Sequence, residues 1–198
     1  MDARNVMLKD GRKVVIRAAA PADAERLIAS VDEVGAERRF ILTEKLAMTV
    51  EEESRFVAQW DDVKGRYAVA DADGRIVGGS LIARGQNPKN RHTASVGIHV
   101  VKAFRGVGLG EALLGVNIEW ARAAGVKKVW LEVFSNNVRA IALYRKMGFV
   151  EEGRKWRHFI IDGEEVDDVV MALWQDSGPK ATTLPNENGM PRVIPKED

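Results

Sequence analysis

The sequence predicts a mixed α/β (α+β) fold: a central, mostly antiparallel sheet of about six to seven strands flanked by about four helices. Three observations carry that expectation. Short β-branched and aromatic runs are joined by the turn dipeptides Asp73-Gly74 and Asp162-Gly163, which is hairpin chemistry. Between them lie segments whose apolar residues recur at helical spacing and stop near Gly125 and Gly148. One strand also runs into a glycine-rich loop that opens an amphipathic segment.

Taken in order, Val14-Val15-Ile16 reads as a short strand, and Pro21 starts a helix through Ala24, Leu27, Ile28 and Val31. Thr49 and Glu52 have capping-box spacing and open a second helix through Phe56, Val57 and Trp60, after a mixed-charge connector over residues 35–48. Residues 67–70 and 76–82 flank Asp71-Ala72-Asp73-Gly74 as a hairpin, and residues 94–101 continue the meander. Leu109, Leu113, Val116, Trp120 and Ala124 then form a helical stripe. A β-branched strand over 129–134, a helix over about 138–147 and two strands over about 149–161 and 166–173 complete the pattern. We expect a single domain over residues 1–174 and a polar tail over 175–198, ordered only if it docks.

Composition excludes several function classes. Lys plus Arg (30) balances Asp plus Glu (29), which argues against a nucleic-acid partner and for a small molecule or peptide. The absence of cysteine removes disulfides, thiolate metal sites and cysteine nucleophiles. His92, His99 and His158 are too scattered for metal-ligand spacing, so no metal is expected. Every apolar run falls short of the roughly 18 residues of a membrane span, so the expectation is a soluble, cytoplasmic protein with no membrane partner.

The glycine loop Arg105-Gly106-Val107-Gly108-Leu109-Gly110 lies where a strand ends and a helix begins. Glycines let a ligand approach the backbone closely, and a helix N-terminus carries about half a positive charge, so anion binding is the physical reading. No Gly-Lys-Ser/Thr follows, which excludes a nucleotide-triphosphate loop; Glu111 occupies the last glycine position of the dinucleotide pattern, which excludes that too. A glycine-rich turn with no ligand is the bland alternative.

Arg105-x-x-Gly108-x-Gly110 resembles the Gln/Arg-x-x-Gly-x-Gly/Ala signature of the GCN5-related N-acetyltransferase (GNAT) superfamily. The resemblance extends over Ser95-Val96-Gly97-Ile98-His99-Val100 before the loop and over residues 131–149 after it, including Ser135-Asn136-Asn137 and Ala140-Ile141-Ala142-Leu143-Tyr144. It implies acetyl-CoA as co-substrate, with its pyrophosphate on the backbone of Arg105, Gly106, Val107, Gly108, Leu109 and Gly110. It also implies pantetheine along the preceding strand and beside Asn137, and a backbone N–H near Val100 or Val101 polarising the thioester oxygen.

Acetyl transfer to an amine needs a base for the ammonium proton and an acid for the thiolate. Tyr144 is the acid candidate: it stands two helical turns after Asn137, and the family places a tyrosine there near the sulfur. Its bland reading is a core residue on the stripe Ala140, Leu143, Tyr144, Met147, and that of Asn137 is a helix cap. Glu132 is the base candidate. Strand alternation sets it on one face with Trp130 and Phe134, where an apolar setting would raise its pKa, and N-terminal protein acetyltransferases of this family use a matching glutamate. His99 is the second base candidate, a glutamate bonded within the sheet is the bland reading of Glu132, and a water chain is a further route. Met147, Trp156 and Phe159 read as core or pocket lining, and the charge run over residues 164–168 as a solvated turn and strand edge. The expected reaction is direct transfer to a small primary amine, an amino acid or polyamine, without an acetyl-enzyme. An N-terminal protein acetyltransferase and a non-catalytic acyl-CoA-binding module are the alternatives. A homodimer through the C-terminal strands is a frequent family arrangement.

Overall fold

A computed structural model describes residues 1–175, 182–185 and 191–194. One eight-stranded sheet organises the chain, in the order β1 (Arg4–Met7), β2 (Lys13–Ala18), β3 (Gly65–Ala72), β4 (Arg75–Arg84), β5 (Thr93–Val100), β6 (Lys128–Phe134), β8 (Glu164–Trp174), β7 (Val150–Ile161). The helices are α1 (Ala24–Gly35), α2 (Val50–Ala58), α3 (Leu109–Ala123) and α4 (Val138–Lys146). Every neighbouring pair of strands in this sheet is antiparallel except β5 and β6, which α3 connects in a parallel crossover.

The mixed fold agrees with the sequence reading, and the strand of this sheet that it missed is β1. Arg4-Asn5-Val6-Met7 has no apolar alternation and is largely exposed, so it is a strand only because its backbone pairs with β2 from Arg4↔Ile16 to Met7↔Lys13. The turn signals hold. Asp73-Gly74 and Asp162-Gly163 all adopt positive φ, as a two-residue hairpin turn of the right hand demands. The Thr49 capping box is present in both directions: Thr49 Oγ1 accepts from the Glu52 N–H at 3.2 Å, and Glu52 Oε2 accepts from the Thr49 N–H at 2.8 Å. Pro21 opens a 3₁₀ turn, Pro21–Asp23, that leads into α1.

Alternation along β3 divides the core. Ala68 and Ala70 join Leu109, Leu113 and Val116 of α3, whereas Tyr67 and Val69 join Leu27 of α1 and Val57 of α2. A further cluster unites Leu114 and Ile118 of α3, Ile141 and Tyr144 of α4, Leu131 of β6 and Met171 of β8. Of the expected tail, Gln175 donates its N–H to Lys127 O at 2.8 Å and Thr182–Pro185 pairs antiparallel with Pro191–Ile194; its other residues lie outside the described ones.

Candidate active site

The site begins where pairing stops. β5 and β6 are in register only through Thr93↔Lys128, Ala94↔Val129 and Ser95↔Trp130, while β5 runs on to Val100 and β6 to Phe134. Beyond Ser95 the strands therefore diverge and open a wedge. A cleft of about 1010 Å³ occupies it, walled by β5, β6, the glycine loop, the start of α4 and the connector after α1.

Alternation tells which backbone groups face the wedge. The Gly85 N–H donates to Thr93 O, Ser80 Oγ to Gly97 O, and the Val101 N–H to Val77 O at 3.1 Å, so the odd-numbered residues of β5 and Val101 spend their groups on the β4 side. Ile98 and Val100 consequently turn their N–H groups to the wedge. This separates the two residues expected to polarise a carbonyl: the Val101 N–H is already bonded and Val101 is fully buried, whereas Val100 faces the cleft.

At the glycine loop, Gly106 and Gly108 have φ of +79° and +94°, conformations that a Cβ would strain. Gly108 caps α3, and its carbonyl accepts the first helical bond, from the Ala112 N–H at 3.1 Å. The N–H groups of the first turn thus have no partner within the helix and converge on the cleft. Gly110 serves packing: a Cβ there would come within 3.1 Å of Leu143 Cδ2 on α4. Val107 and Leu109 offer only backbone, since Leu109 is buried in the core and the Val107 carbonyl accepts the Lys9 N–H.

Arg105 points elsewhere. Its Nε donates to Val100 O at 2.8 Å, its Nη atoms grip both oxygens of Glu37, and its guanidinium lies 4.5 Å from the Phe40 ring. The Arg105 side chain, as distinct from the backbone expected to meet the cofactor, therefore pins the connector after α1 to the end of β5. Hydrogen bonding to Arg105 holds the Glu37 carboxyl below its usual range.

Tyr144 is buried, lines the cleft and packs its ring 5.8 Å from that of Phe149. Burial raises its phenol to about 12, so it keeps its proton at neutral pH. Asn137 caps α4, its Oδ1 accepting the Ala140 N–H at 3.2 Å, and it also lines the cleft. Cap and cleft wall are one residue here.

Glu132 lines the cleft, but its setting differs from the expected apolar one. It is 42% exposed, and its carboxylate is ion-paired with Lys155 Nζ, which also donates to Asp168 at 2.9 Å. Asp168, expected on a solvated strand edge, is 2% exposed and faces the cleft. The signal was available, because Asp168 shares a strand face with buried Val166. Bonding to Glu132 and Asp168 raises the Lys155 ammonium, which stays charged. Phe159 lines the cleft with its ring 4.9 Å from Phe134, and Met147 packs on the core. Trp156 is neither core nor lining: it is 56% exposed beside Arg154.

Ser30 Oγ lies within hydrogen-bond reach of both Leu27 O and His99 Nε2, each at 2.9 Å. Burial pushes His99 down to about 4, and the ring is neutral at pH 7. Among the described residues no cluster of His, Asp or Glu has the makings of a metal site, and no helix is long and apolar enough to cross a membrane.

Comparison with known proteins agrees with this geometry. The Acetyltransferase (GNAT) family matches residues 36–149, more than half of the chain. An L-amino acid N-acetyltransferase of Escherichia coli is 37% identical over 111 residues, covering 54% of this chain and 67% of that protein. An N-alpha-acetyltransferase of Mycobacterium tuberculosis is 36% identical over 113 residues, covering 57% of this chain and 66% of that protein. The solved yncA protein of Salmonella typhimurium, which contains its cofactor acetyl-CoA, shares the fold with a TM-score of 0.75 at 21% identity, over 83% of this chain and 95% of its own. With the splayed strands, the glycine loop and these matches together, the chain belongs to the acetyltransferase (GNAT) family and is an N-acetyltransferase.

Proposed function

We propose that this enzyme moves an acetyl group from acetyl-CoA directly to the primary amine of a small molecule, an amino acid or a polyamine. The observation that carries the reading is the wedge after Ser95, lined by unpaired backbone on β5 and ending at a helix start with free N–H groups. That shape fits an extended, amide-bearing arm that terminates in phosphate. Ile98 and Val100 would pair with the arm, Asn137 would flank it, and Gly106, Gly108 and Gly110 would take the pyrophosphate. When bound, the coenzyme supplies a thioester carbonyl and a thiolate leaving group.

The chain's own groups do the rest. The Val100 N–H polarises the carbonyl oxygen as negative charge grows on it. Tyr144 donates a hydrogen bond and then a proton to the departing sulfur, because burial keeps the phenol protonated throughout the working pH range. Glu132 and Asp168 attract the acceptor ammonium, and Glu132 takes its proton. The pairing of the Lys155 ammonium with both carboxylates supports this reading of the corner as one that suits a cationic amine. Phe134 and Phe159 keep water from the reacting carbonyl.

The amino-acid relative supports a small acceptor. The second reading, transfer to a protein N-terminus, is favoured by the N-alpha relative and by Leu42 at the cleft mouth, 71% exposed and able to meet a chain. Thiol release from acetyl-CoA, measured against amino acids, polyamines and short peptides, tests both. Turnover with amino acids or polyamines is expected. Activity confined to peptide N-termini moves the enzyme to the second reading, and coenzyme binding without transfer to any amine contradicts both.

A further inference from the structure

The amino-terminal hairpin, whose first strand the sequence hides, ends against the glycine loop. Its turn residue Leu8 is 4% exposed and sits in one cluster with Phe104, Leu109 and Val107. The Lys9 N–H donates to Val107 O at 3.0 Å, Arg12 Nη2 donates to Ala103 O at 2.7 Å, and the Arg12 guanidinium lies 3.8 Å from the Phe104 ring. These contacts fix the turn along one flank of residues 103–107.

They also aim one side chain. The Lys9 stem crosses Gly108: a Cβ there would lie 3.8 Å from Lys9 Cγ and 3.7 Å from Lys9 Cε. Lys9 lines the cleft with Gly106, Gly108 and Gly110. Arg105 is committed to Glu37 and Lys146 to Glu111, whereas Lys9, like Lys102 and Arg139 of the cleft wall, has no ion-pair partner among the described residues, and of these three it is Lys9 whose stem crosses Gly108. A docked hairpin thus carries an ammonium with no direct ion-pair partner among the described residues to the mouth of an anion cradle.

We propose that Lys9 is a phosphate-binding residue for the coenzyme, closing over the glycine loop so that the phosphate lies between its ammonium and the N–H groups at the start of α3. The inference rests on the reading that the cleft holds acetyl-CoA. A backbone cradle has fixed direction but only partial charge, and Lys9 adds a full charge to it. The coenzyme offers two phosphate sources, the 5′-diphosphate and the 3′-phosphate.

The test compares wild type, Lys9→Met and Lys9→Arg on acetyl-CoA, acetyl-dephospho-CoA and S-acetylpantetheine, with calorimetric titration of CoA alongside. Methionine keeps an apolar stem over Gly108 and removes only the charge. Lys9→Met should raise KM for acetyl-CoA about three- to ten-fold at low ionic strength while kcat stays within about two-fold, and Lys9→Arg should restore most of the loss. On S-acetylpantetheine, which has no phosphate, kcat/KM should be equal for wild type and Lys9→Met. A penalty that persists on the dephospho substrate assigns Lys9 to the diphosphate, and one that vanishes there assigns it to the 3′-phosphate. An unchanged KM for acetyl-CoA, or the same penalty on S-acetylpantetheine, overturns the assignment. Wild-type protein that neither binds CoA nor turns over acetyl-CoA would overturn the underlying reading as well, and is told apart by the wild-type titration alone.

Discussion

The glycine-loop end of the cleft is made of backbone, whereas its acceptor end is made of side chains delivered by distant segments. At the first, the turn dihedrals of Gly106 and Gly108 and the start of α3 do the work within a few consecutive residues. At the second, Glu132 of β6, Lys155 of β7 and Asp168 of β8 meet in one cluster, and Glu37 from the connector closes on Arg105. A backbone site depends on where glycine stands; a side-chain site depends on register between strands. The first should be sensitive to any added Cβ, and the second to the loss of single charges.

The largest effect should fall where both ends meet the reacting atoms. Tyr144→Phe keeps the packing on Phe149 and removes the proton, so kcat should drop about 100-fold or more with KM for acetyl-CoA little changed. Because burial holds the phenol at about 12, its ionisation should leave no alkaline limb in the rate profile below about pH 10. Full activity in the phenylalanine variant would remove Tyr144 from the mechanism.

Next comes Gly108→Val, which forces a β-branched residue into φ +94° under the Lys9 stem. Titration with CoA should show affinity reduced about thirty-fold, whereas an unchanged affinity would mean that the loop is not the anion cradle.

Arg105→Ala sharpens the contrast. Its guanidinium holds Glu37, so steady-state kinetics should show the acceptor's KM rising about three- to ten-fold and that of acetyl-CoA barely moving. The reverse pattern would assign the side chain to the coenzyme.

The smallest effect is on stability. In the unfolded chain His99 takes a proton near 6.5, and in the fold only near 4, so protons favour unfolding in that window. Unfolding free energy should fall as pH drops from about 6.5 to 4, by up to about 3 kcal/mol, and His99→Gln should lack this component in urea titrations. Identical pH dependence in the two proteins would refute the buried neutral histidine.

Legibility follows the same division. Asp-Gly turns, the Thr49 capping box and the glycine loop are local chemistry, and each appears in the structure at the residues that encode it. β1 was illegible because an exposed edge strand carries no apolar alternation, and with it the position of Lys9. The Glu132–Lys155 pair depends on sheet order across three strands, and nothing near Glu132 in sequence announces Lys155. Asp168 was hidden among neighbouring carboxylates, though its alternation with Val166 placed it indoors. The place of Arg105 in the signature describes the loop's backbone, and nothing local in the sequence announces that its side chain meets Glu37.

The central claim is that coenzyme A lies in the wedge between β5 and β6 with its phosphates on the start of α3. Residue-resolved amide hydrogen exchange, with and without saturating CoA, tests it most directly. The account predicts slowed exchange at Ile98, Val100 and the amides of residues 106–111, with Val101, already bonded to Val77, unaffected. Binding that leaves those amides unchanged while protecting another part of the molecule would contradict it.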